Sequence, residues 1–347
     1  MIIVSKNIAS ELKAYLSSNI YDKIFVLSDT NTVEKCFPLI EQALSGCHYT
    51  SITIDEGDVN KDIRQVGAVW DILSQKGASR HSLLINIGGG MVTDLGGFAG
   101  ATFKRGIHSL NIPTTLMASV DAAVGGKTGI NYNGLKNEIG TFHQPDCVMI
   151  DCSFLKTLDR PNLLSGFAEM LKHGLISDQE TYYKVLNFDI IHPDFEKLND
   201  LVNASVAIKN QIVEKDPNET GIRKALNFGH TVGHAFESLS IAQNRPLLHG
   251  LAVAAGMICE LYLSYKLCGM PVELLRQATN FIKVQYPPFI FVCDDYEPIY
   301  ELMTHDKKNK DGMILFTLLS NIGNIHINQH ASKELTFDSF DFYRENI

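Results

Sequence analysis

Four residues of metal-binding type stand inside helical sequence, apart from every cysteine: Glu169 in GFAEMLKHG, His230 and His234 in LNFGHTVGHAFE, and His249 in LLHGLAVAAGM. Imidazole nitrogen and carboxylate oxygen are the donors a catalytic zinc takes when one coordination position must stay open. His230 and His234 are four apart, so they share one face of a helix. Their spacing matches the zinc-peptidase motif, but Thr231 stands where that motif carries its general-base Glu, which disfavours a peptidase. A single helical histidine is ordinarily a buried, hydrogen-bonded side chain. Four donors with glycines flanking them point instead to a divalent metal beside an anion site. Spacing alone leaves open which three of the four would bind it.

Three earlier segments also carry chemistry. Gly88-Gly89-Gly90 follows an apolar run, and a helix start after such glycines offers unpaired N–H groups to a diphosphate. The pattern is not GxGxxG, so an ordinary Rossmann site is not implied, and tight strand–helix packing is the competing role of the triplet. Asp29 and Asn31 lie at the end of a strand, where doubly wound sheets place ligand contacts. In VDAAVGGKTGINYNGLKNEIG the GGKT resembles the end of a P-loop, but Asp121 occupies the place of that motif's first glycine. The segment therefore reads as a glycine-hinged loop in which Asp121, Lys127, Lys136 and Asn137 surround an anion.

The elements that position these residues change character along the chain. KIFVLSD (23–29), HYTSITID (48–55), SLLINIGGG (82–90), SLNIPTT (109–115) and CVMID (147–151) are apolar, β-branched runs separated by helical stretches such as VEKCFPLIEQAL and DIRQVGAVWDILSQKG. Strands alternating with helices predict βαβ units and a mostly parallel sheet. After Asp159 the apolar spacing becomes i, i+3, i+4 over successive helices, with one hairpin turning at Asn321–Gly323. We expect an α/β nucleotide-binding domain over 1–158 and a mainly α-helical metal- and substrate-binding domain over 159–347, sharing a cleft.

Composition narrows the partners. The chain has 347 residues, 45% of them hydrophobic, and a net charge of −9, which argues against nucleic acid while allowing a local basic pocket for an anionic small molecule. Cys36, Cys47, Cys147, Cys152, Cys259, Cys268 and Cys293 form no CxxC pair, suggesting reduced cytoplasmic thiols and neither a disulfide framework nor a Cys-based zinc site. No signal layout opens the sequence, and the apolar run near 251–258 is too short for a bilayer, so no membrane association is expected.

Taken in order, GGGMVTDLGGF, KRG, IPTTLMASVDAAVGGKTGIN, KNEIGTFHQP, LKTL, GFAEMLKHG, LNFGHTVGHAFE, LHG and HDKKN resemble the 3-dehydroquinate synthase family over roughly residues 23 to 320. The resemblance implies a dehydroquinate-synthase-like fold, NAD+ and a divalent metal, zinc or cobalt. It implies cyclisation of 3-deoxy-D-arabino-heptulosonate 7-phosphate in the shikimate pathway, with release of phosphate. It makes Glu169, His230 and His249 the metal ligands and moves His234 to the substrate phosphate. Lys127, Asn137 and Lys307 would surround that phosphate, with Arg105 arriving from the second subunit of a homodimer. Lys172, Lys209, Arg223 and Asn227 would hold the substrate's carboxylate and hydroxyls, and Asp121 would lie near the reacting centre. Asp29, Asn31, Asp58, Lys61, Gly89, Gly90, Asp94, Thr114, Thr115, Lys136 and Thr157 would contact NAD+, as would Asp121 and Lys127. Departures from the family pattern are Ala122-Ala123 in place of Ser-Ser, Asp58 in place of Glu, and Leu135 in place of glycine. The rival readings are another sugar-phosphate cyclase, of inosose or valiolone type, a metal-dependent polyol dehydrogenase, and a catalytically silent binder of metal and nucleotide.

Overall fold

The computed structural model describes residues 1–304 and 313–346; Lys307 lies outside the described residues. Internal contacts divide the chain into two compact units, Met1–Asp159 with Asp194–Val206 and Arg160–Pro193 with Ala207–Ile347.

The first unit contains β1 (Ile2–Val4), α1 (Ile8–Ser18), β2 (Ile24–Asp29), α2 (Thr32–Lys35), α3 (Pro38–Glu41), β3 (Tyr49–Ile54), α4 (Ile63–Gln75), β4 (Leu83–Gly88), α5 (Gly90–Thr102), β5 (His108–Pro113), β6 (Lys127–Tyr132), β7 (Leu135–Phe142) and β8 (Cys147–Ile150). Six strands form one sheet in the order β1-β8-β5-β4-β2-β3, with every pairing parallel. Period-2 alternation sorts their side chains between two faces. Val26, Leu83, Ile85 and Ile87 pack with Ile8 and Leu12 of α1. Phe25, Leu27 and Leu84 pack with Val66, Val69 and Leu73 of α4 and Leu95 of α5. β4 is buried throughout because both faces are covered.

The chain leaves β2 toward β3 on one side and leaves β4 toward β5 on the other, so β2 and β4 flank the switch point of the sheet. Crevices outside the carboxyl ends of strands at such points are where open α/β sheets take ligands.

Two local expectations fail here. VEKCFPLIEQAL is not one helix, because Pro38 ends the preceding turn and starts α3. The segment read as a glycine-hinged loop is an antiparallel hairpin of β6 and β7. Its two-residue turn is Asn133-Gly134, at φ 49 and 79, the Asn-Gly pairing that suits the twist of a hairpin.

The second unit is built from α6 (Arg160–Ser177), α7 (Gln179–Leu186), the later turns of α8 (Phe195–Lys215), α9 (His230–Ala242), α10 (His249–Cys268), α11 (Val272–Gln285), α12 (Tyr296–Thr304), the hairpin β9 (Phe316–Asn321) and β10 (Asn324–Gln329), and α13 (Lys333–Glu345). Phe236 of α9 packs among Phe289, Phe291, Phe340 and Tyr343, with ring centroids 5.1 to 6.1 Å away. Helix α10 is long and apolar enough to cross a bilayer, but 72% of its most apolar stretch is buried inside the protein. It is a core helix, longer than the apolar run in the sequence suggests.

Candidate functional site

Close backbone approach in the second unit brings three helices together. A Cβ added to Gly250 would stand 1.9 Å from the Ser165 carbonyl oxygen, and the Gly250 N–H donates to Ser165 Oγ at 3.0 Å. These contacts seat the start of α10 on α6. A Cβ on Gly256 would fall 2.2 Å from the Gly229 carbonyl, and one on Gly233 would fall 3.0 Å from that of Ala252. The order of these contacts makes α9 and α10 antiparallel at a separation only glycine permits. Glu169 on α6, His230 at the start of α9 and His249 at the start of α10 are thereby fixed to rigid helices.

The carboxylate oxygen Oε1 of Glu169 is buried and accepts no hydrogen bond. His230 Nε2 lies 3.6 Å from it and His249 Nε2 3.8 Å, beyond hydrogen-bonding range. Two donors bound at ~2.0–2.2 Å to one tetrahedral zinc stand about 3.4 Å apart. The unsatisfied buried oxygen with two imidazole nitrogens around it therefore fits a divalent metal. The other oxygen, Oε2, is held by Lys172 Nζ, and both side chains are almost completely buried. His230 Nδ1 lies 3.1 Å from the Phe228 carbonyl, and His249 Nδ1 lies 3.0 Å from Glu237 Oε2. A carbonyl and a carboxylate can only accept, which assigns a proton to Nδ1 of both rings; in the neutral ring the lone pair is then on Nε2.

His234 shares the cluster. Its ring centroid is 5.3 Å from that of His230 and 5.6 Å from that of His249, and one ring nitrogen from each of the three lies within 4.8 Å of the others. Distance alone thus admits a three-histidine set; Glu169 is set apart by its buried, unsatisfied oxygen.

The remaining expected residues of this unit sit on α8 and the connection that follows it. Lys209 on α8, Arg223 and Lys172 are all buried. Arg223 Nη1 donates to the Pro217 carbonyl at 2.6 Å, and Asn227 Nδ2 donates to Glu219 Oε1 at 2.7 Å. Asp216 organises the connection by accepting the N–H groups of Thr220, Gly221 and Arg223 at 3.0, 2.7 and 3.0 Å. Burial pushes its carboxyl up, but these backbone donors more than offset that and hold it at about 2.

In the first unit Asp29 ends β2 and Gly89 follows β4, the two strands that flank the switch point, and Thr114 and Thr115 follow β5. Asp29 Oδ1 accepts from the N–H groups of Asn31 and Thr32 at 3.0 and 2.7 Å. Gly89 precedes α5, whose start carries no side-chain cap. A Cβ on Gly89 would meet Thr115 at 3.0 Å, and one on Gly90 would meet Ala122 at 3.2 Å, so the glycines keep a cradle open that fits a dinucleotide phosphate. Thr114 donates its N–H to the Gly88 carbonyl. Thr115 Oγ1 accepts the Ala118 N–H at 3.1 Å, at the head of the π-helical turn, Ala118–Ala122, that carries Asp121.

Lys61 is buried and bonds Asp94 Oδ2 at 2.6 Å and the side-chain oxygen of Asn137. Lys136 lies 3.5 Å from Asp58, both about half exposed, and Lys127 opens β6 in an exposed position. Thr157 ends a 3-10 turn and bonds its own Phe154 carbonyl at 3.3 Å. Arg105 stands on an exposed turn in which Lys104, Arg105 and Gly106 all have positive φ.

Several residues have roles the sequence did not announce. Asn131 bonds the Asp58 carbonyl at 2.8 Å and accepts the Asn137 N–H at 3.0 Å, tying the hairpin to the turn before α4. Glu237 was visible in the motif HTVGHAFE as the residue one helical turn past His234. Asp216 and Glu219 carried no signal, and Glu260 showed only as a charge that breaks the apolar run near 251–258.

Residues 51–165 match the model of the 3-dehydroquinate synthase N-terminal region, and residues 166–309 that of its C-terminal region. A 3-dehydroquinate synthase of Parabacteroides distasonis is 61% identical over 346 residues, covering 100% of this chain and 98% of that protein. One from Pyrococcus furiosus is 37% identical over 328 residues, covering 93% and 94%. Among solved structures, the 2-epi-5-epi-valiolone synthase of Streptomyces hygroscopicus subsp. jinggangensis, with NAD+ and Zn2+ bound, superposes with a TM-score of 0.88 at 23% identity, covering 100% of this chain and 97% of that one. A 2-deoxy-scyllo-inosose synthase complexed with carbaglucose-6-phosphate, NAD+ and Co2+ gives 0.87 at 20% identity, covering 100% and 96%. At such identities these two structures speak for the fold. Matched by both family models and, along its whole length, by the Parabacteroides enzyme, the chain belongs to the 3-dehydroquinate synthase family and is an enzyme of that activity.

Proposed function

We propose that the chain converts 3-deoxy-D-arabino-heptulosonate 7-phosphate to 3-dehydroquinate and phosphate, with Glu169, His230 and His249 holding a zinc or cobalt ion. The loops after β2, β4 and β5, with Asp58, Lys61, Asp94, Lys136 and Thr157, hold NAD+. The observation that carries the metal assignment is the buried, unsatisfied Oε1 of Glu169 with an imidazole Nε2 on either side. When bound, the metal supplies Lewis-acid polarisation of a substrate hydroxyl and NAD+ a reversible hydride acceptor, so the cofactor is recycled within one turnover.

The chain's own residues do the rest. Lys172 occupies one oxygen of Glu169 and leaves the other as the donor. Phe228 and Glu237 keep Nδ1 of His230 and His249 protonated, so both Nε2 atoms present lone pairs. Arg223 offers a planar fork to the substrate carboxylate, steadied by Pro217 and Asp216, while Lys209 and Asn227 take hydroxyls. Lys127, Arg105, Lys307 and His234 stabilise the departing phosphate dianion, and Asn137, its oxygen engaged by Lys61, donates to it through its amide nitrogen. The leaving phosphate itself can take up the substrate proton, so Asp121 serves beside the reacting centre without having to be a strong base. The exposed, left-handed turn at Arg105 supports its reaching a second subunit, which makes the active unit a homodimer.

The retention of Lys209, Arg223 and Asn227 favours this substrate over the carboxylate-free sugar phosphates of related cyclases. A polyol dehydrogenase would release NADH, which this scheme does not. The ligand assignment is tested by metal content: His230→Ala and His249→Ala should purify folded with well under one metal per chain, while His234→Ala should keep metal and lose turnover. Full occupancy in the first two variants, or a metal-free His234→Ala, overturns it.

A further inference from the structure

A second buried carboxylate on α10 stands near the candidate metal centre with no role in the scheme above. Glu260 is fully buried at the end of the apolar run of α10. Its Oε2 accepts the Gly229 N–H at 2.7 Å and its Oε1 the Val232 N–H at 3.2 Å. These are N–H groups at the beginning of α9, where intrahelical partners are missing and the helix dipole is positive. Gly229 itself is the residue before α9. It sits in the left-handed region at φ 79 and has no side chain to cap the helix. The cap is supplied from α10.

Burying a carboxylate costs several kcal/mol unless hydrogen bonds satisfy it, so a buried Glu at this position needs a compensating partner. The helix start provides two N–H donors of favourable sign. Reach is possible because Gly256, one turn before Glu260, lies against Gly229, where any Cβ would overlap its carbonyl oxygen. The turn so fixed is Phe228-Gly229-His230, and the Phe228 carbonyl is the group that takes His230 Nδ1.

The antiparallel pairing makes the arrangement reciprocal. Helix α9 carries His230 and, two turns on, Glu237, which orients His249 of α10. Helix α10 carries His249 and, three turns on, Glu260, which caps the start of α9 where His230 sits. Each helix thus supplies one imidazole and the carboxylate that steadies the other helix's imidazole. We propose that Glu260 is a positioning residue of the metal centre, acting through the α9 N-terminus to set the direction of His230. The inference rests on the reading of His230 as a ligand.

The test measures zinc affinity of the full-length apoprotein by competition with a chromogenic chelator, alongside thermal melts without metal. Glu260→Gln retains shape but turns one amide NH2 against a backbone N–H. We expect it to fold and to raise the zinc dissociation constant about tenfold, the lower end of the effect of removing an outer-shell partner. Its turnover at limiting zinc should fall in step and recover at saturating zinc. Leu275→Ala, a core truncation on α11, sets the scale: a lower melting temperature with unchanged zinc affinity. If Glu260→Gln behaves like Leu275→Ala, the proposal is wrong and the residue is only structural.

Wild-type protein gives a second measurement that folding cannot obscure. Coupling between cap and metal is reciprocal, so zinc should slow hydrogen exchange at the Gly229 and Val232 amides, and unchanged exchange there contradicts the proposal. Undiminished zinc binding by His230→Ala would instead bring down the ligand reading itself, whatever Glu260 does.

Discussion

Replacing Glu237 by Gln probes how the site is held, because it changes one charge and almost no volume. In the native protein Glu237 Oε2 lies 3.0 Å from His249 Nδ1. Gln can still accept the N–H through its amide oxygen, so the bond survives without ionic assistance. A hydrogen bond to a charged group contributes about 1.5–3 kcal/mol and a neutral one about 0.5–1.5, a difference of roughly 1–1.5 kcal/mol. Since about 1.4 kcal/mol is a factor of ten, zinc affinity should fall about five- to twelvefold in Glu237→Gln. His249 is about one-third exposed, so water can partly replace the lost partner and the effect should sit at the low end. Glu237→Ala removes the acceptor and frees the ring to change tautomer, and its loss should approach ~100-fold. Chelator-competition titration of the apoproteins gives both constants. The reasoning is refuted if both variants bind zinc as tightly as wild type while His249→Ala does not.

Other consequences are equally direct. Gly250→Ala would drive a methyl into the Ser165 carbonyl, so it should cost about 1–3 kcal/mol of stability and weaken zinc binding as α6 separates from α10; a wild-type melt contradicts this. Asp216 has a folded pKa of about 2 against roughly 3.9 unfolded. Its stabilising share is therefore fully present above about pH 4 and lost as the pH falls through 2. Asp216→Asn should flatten the pH dependence of thermal stability between those limits, and an unchanged profile would show that the loop does not depend on that charge. Mixing the singly inactive variants Arg105→Ala and Lys127→Ala should restore part of the activity if Arg105 acts across a dimer, because some mixed dimers hold one intact set. No recovery despite demonstrated subunit exchange removes that assignment.

Five of the six parallel strands were legible because they are apolar, β-branched runs bounded by glycine or polar residues, as in β4, and the helices of the second unit because their apolar spacing is regular. The edge strand β1, only three residues long, was missed. The β6–β7 hairpin was also signalled, by Asn133-Gly134 between strand-like runs, but the charges and glycines around it read as a loop. The donors Glu169, His230, His234 and His249 stand out by type and spacing, since carboxylate and imidazole rarely recur so closely beside glycine. Spacing does not choose among them; the feature that favours Glu169 is its buried, unsatisfied Oε1, whose surroundings form only where α10 packs on α6 and α9 on α10. The partners of Glu237 and Glu260 could not be read for a related reason. A glutamate in a helix is ordinarily solvated, and these two acquire their partners only through the glycine-mediated approach of antiparallel helices. The bonds of Lys61 to Asp94 and Asn137 join residues far apart in the chain, so no local pattern announces them.

Phosphate release tests the account most directly. Purified protein supplied with zinc, catalytic NAD+ and 3-deoxy-D-arabino-heptulosonate 7-phosphate should release one phosphate per substrate consumed, over many turnovers per NAD+. The absorbance of NADH should show no net accumulation. Stoichiometric NADH production, or faster turnover of sedoheptulose 7-phosphate than of the heptulosonate, would contradict the proposed reaction and substrate.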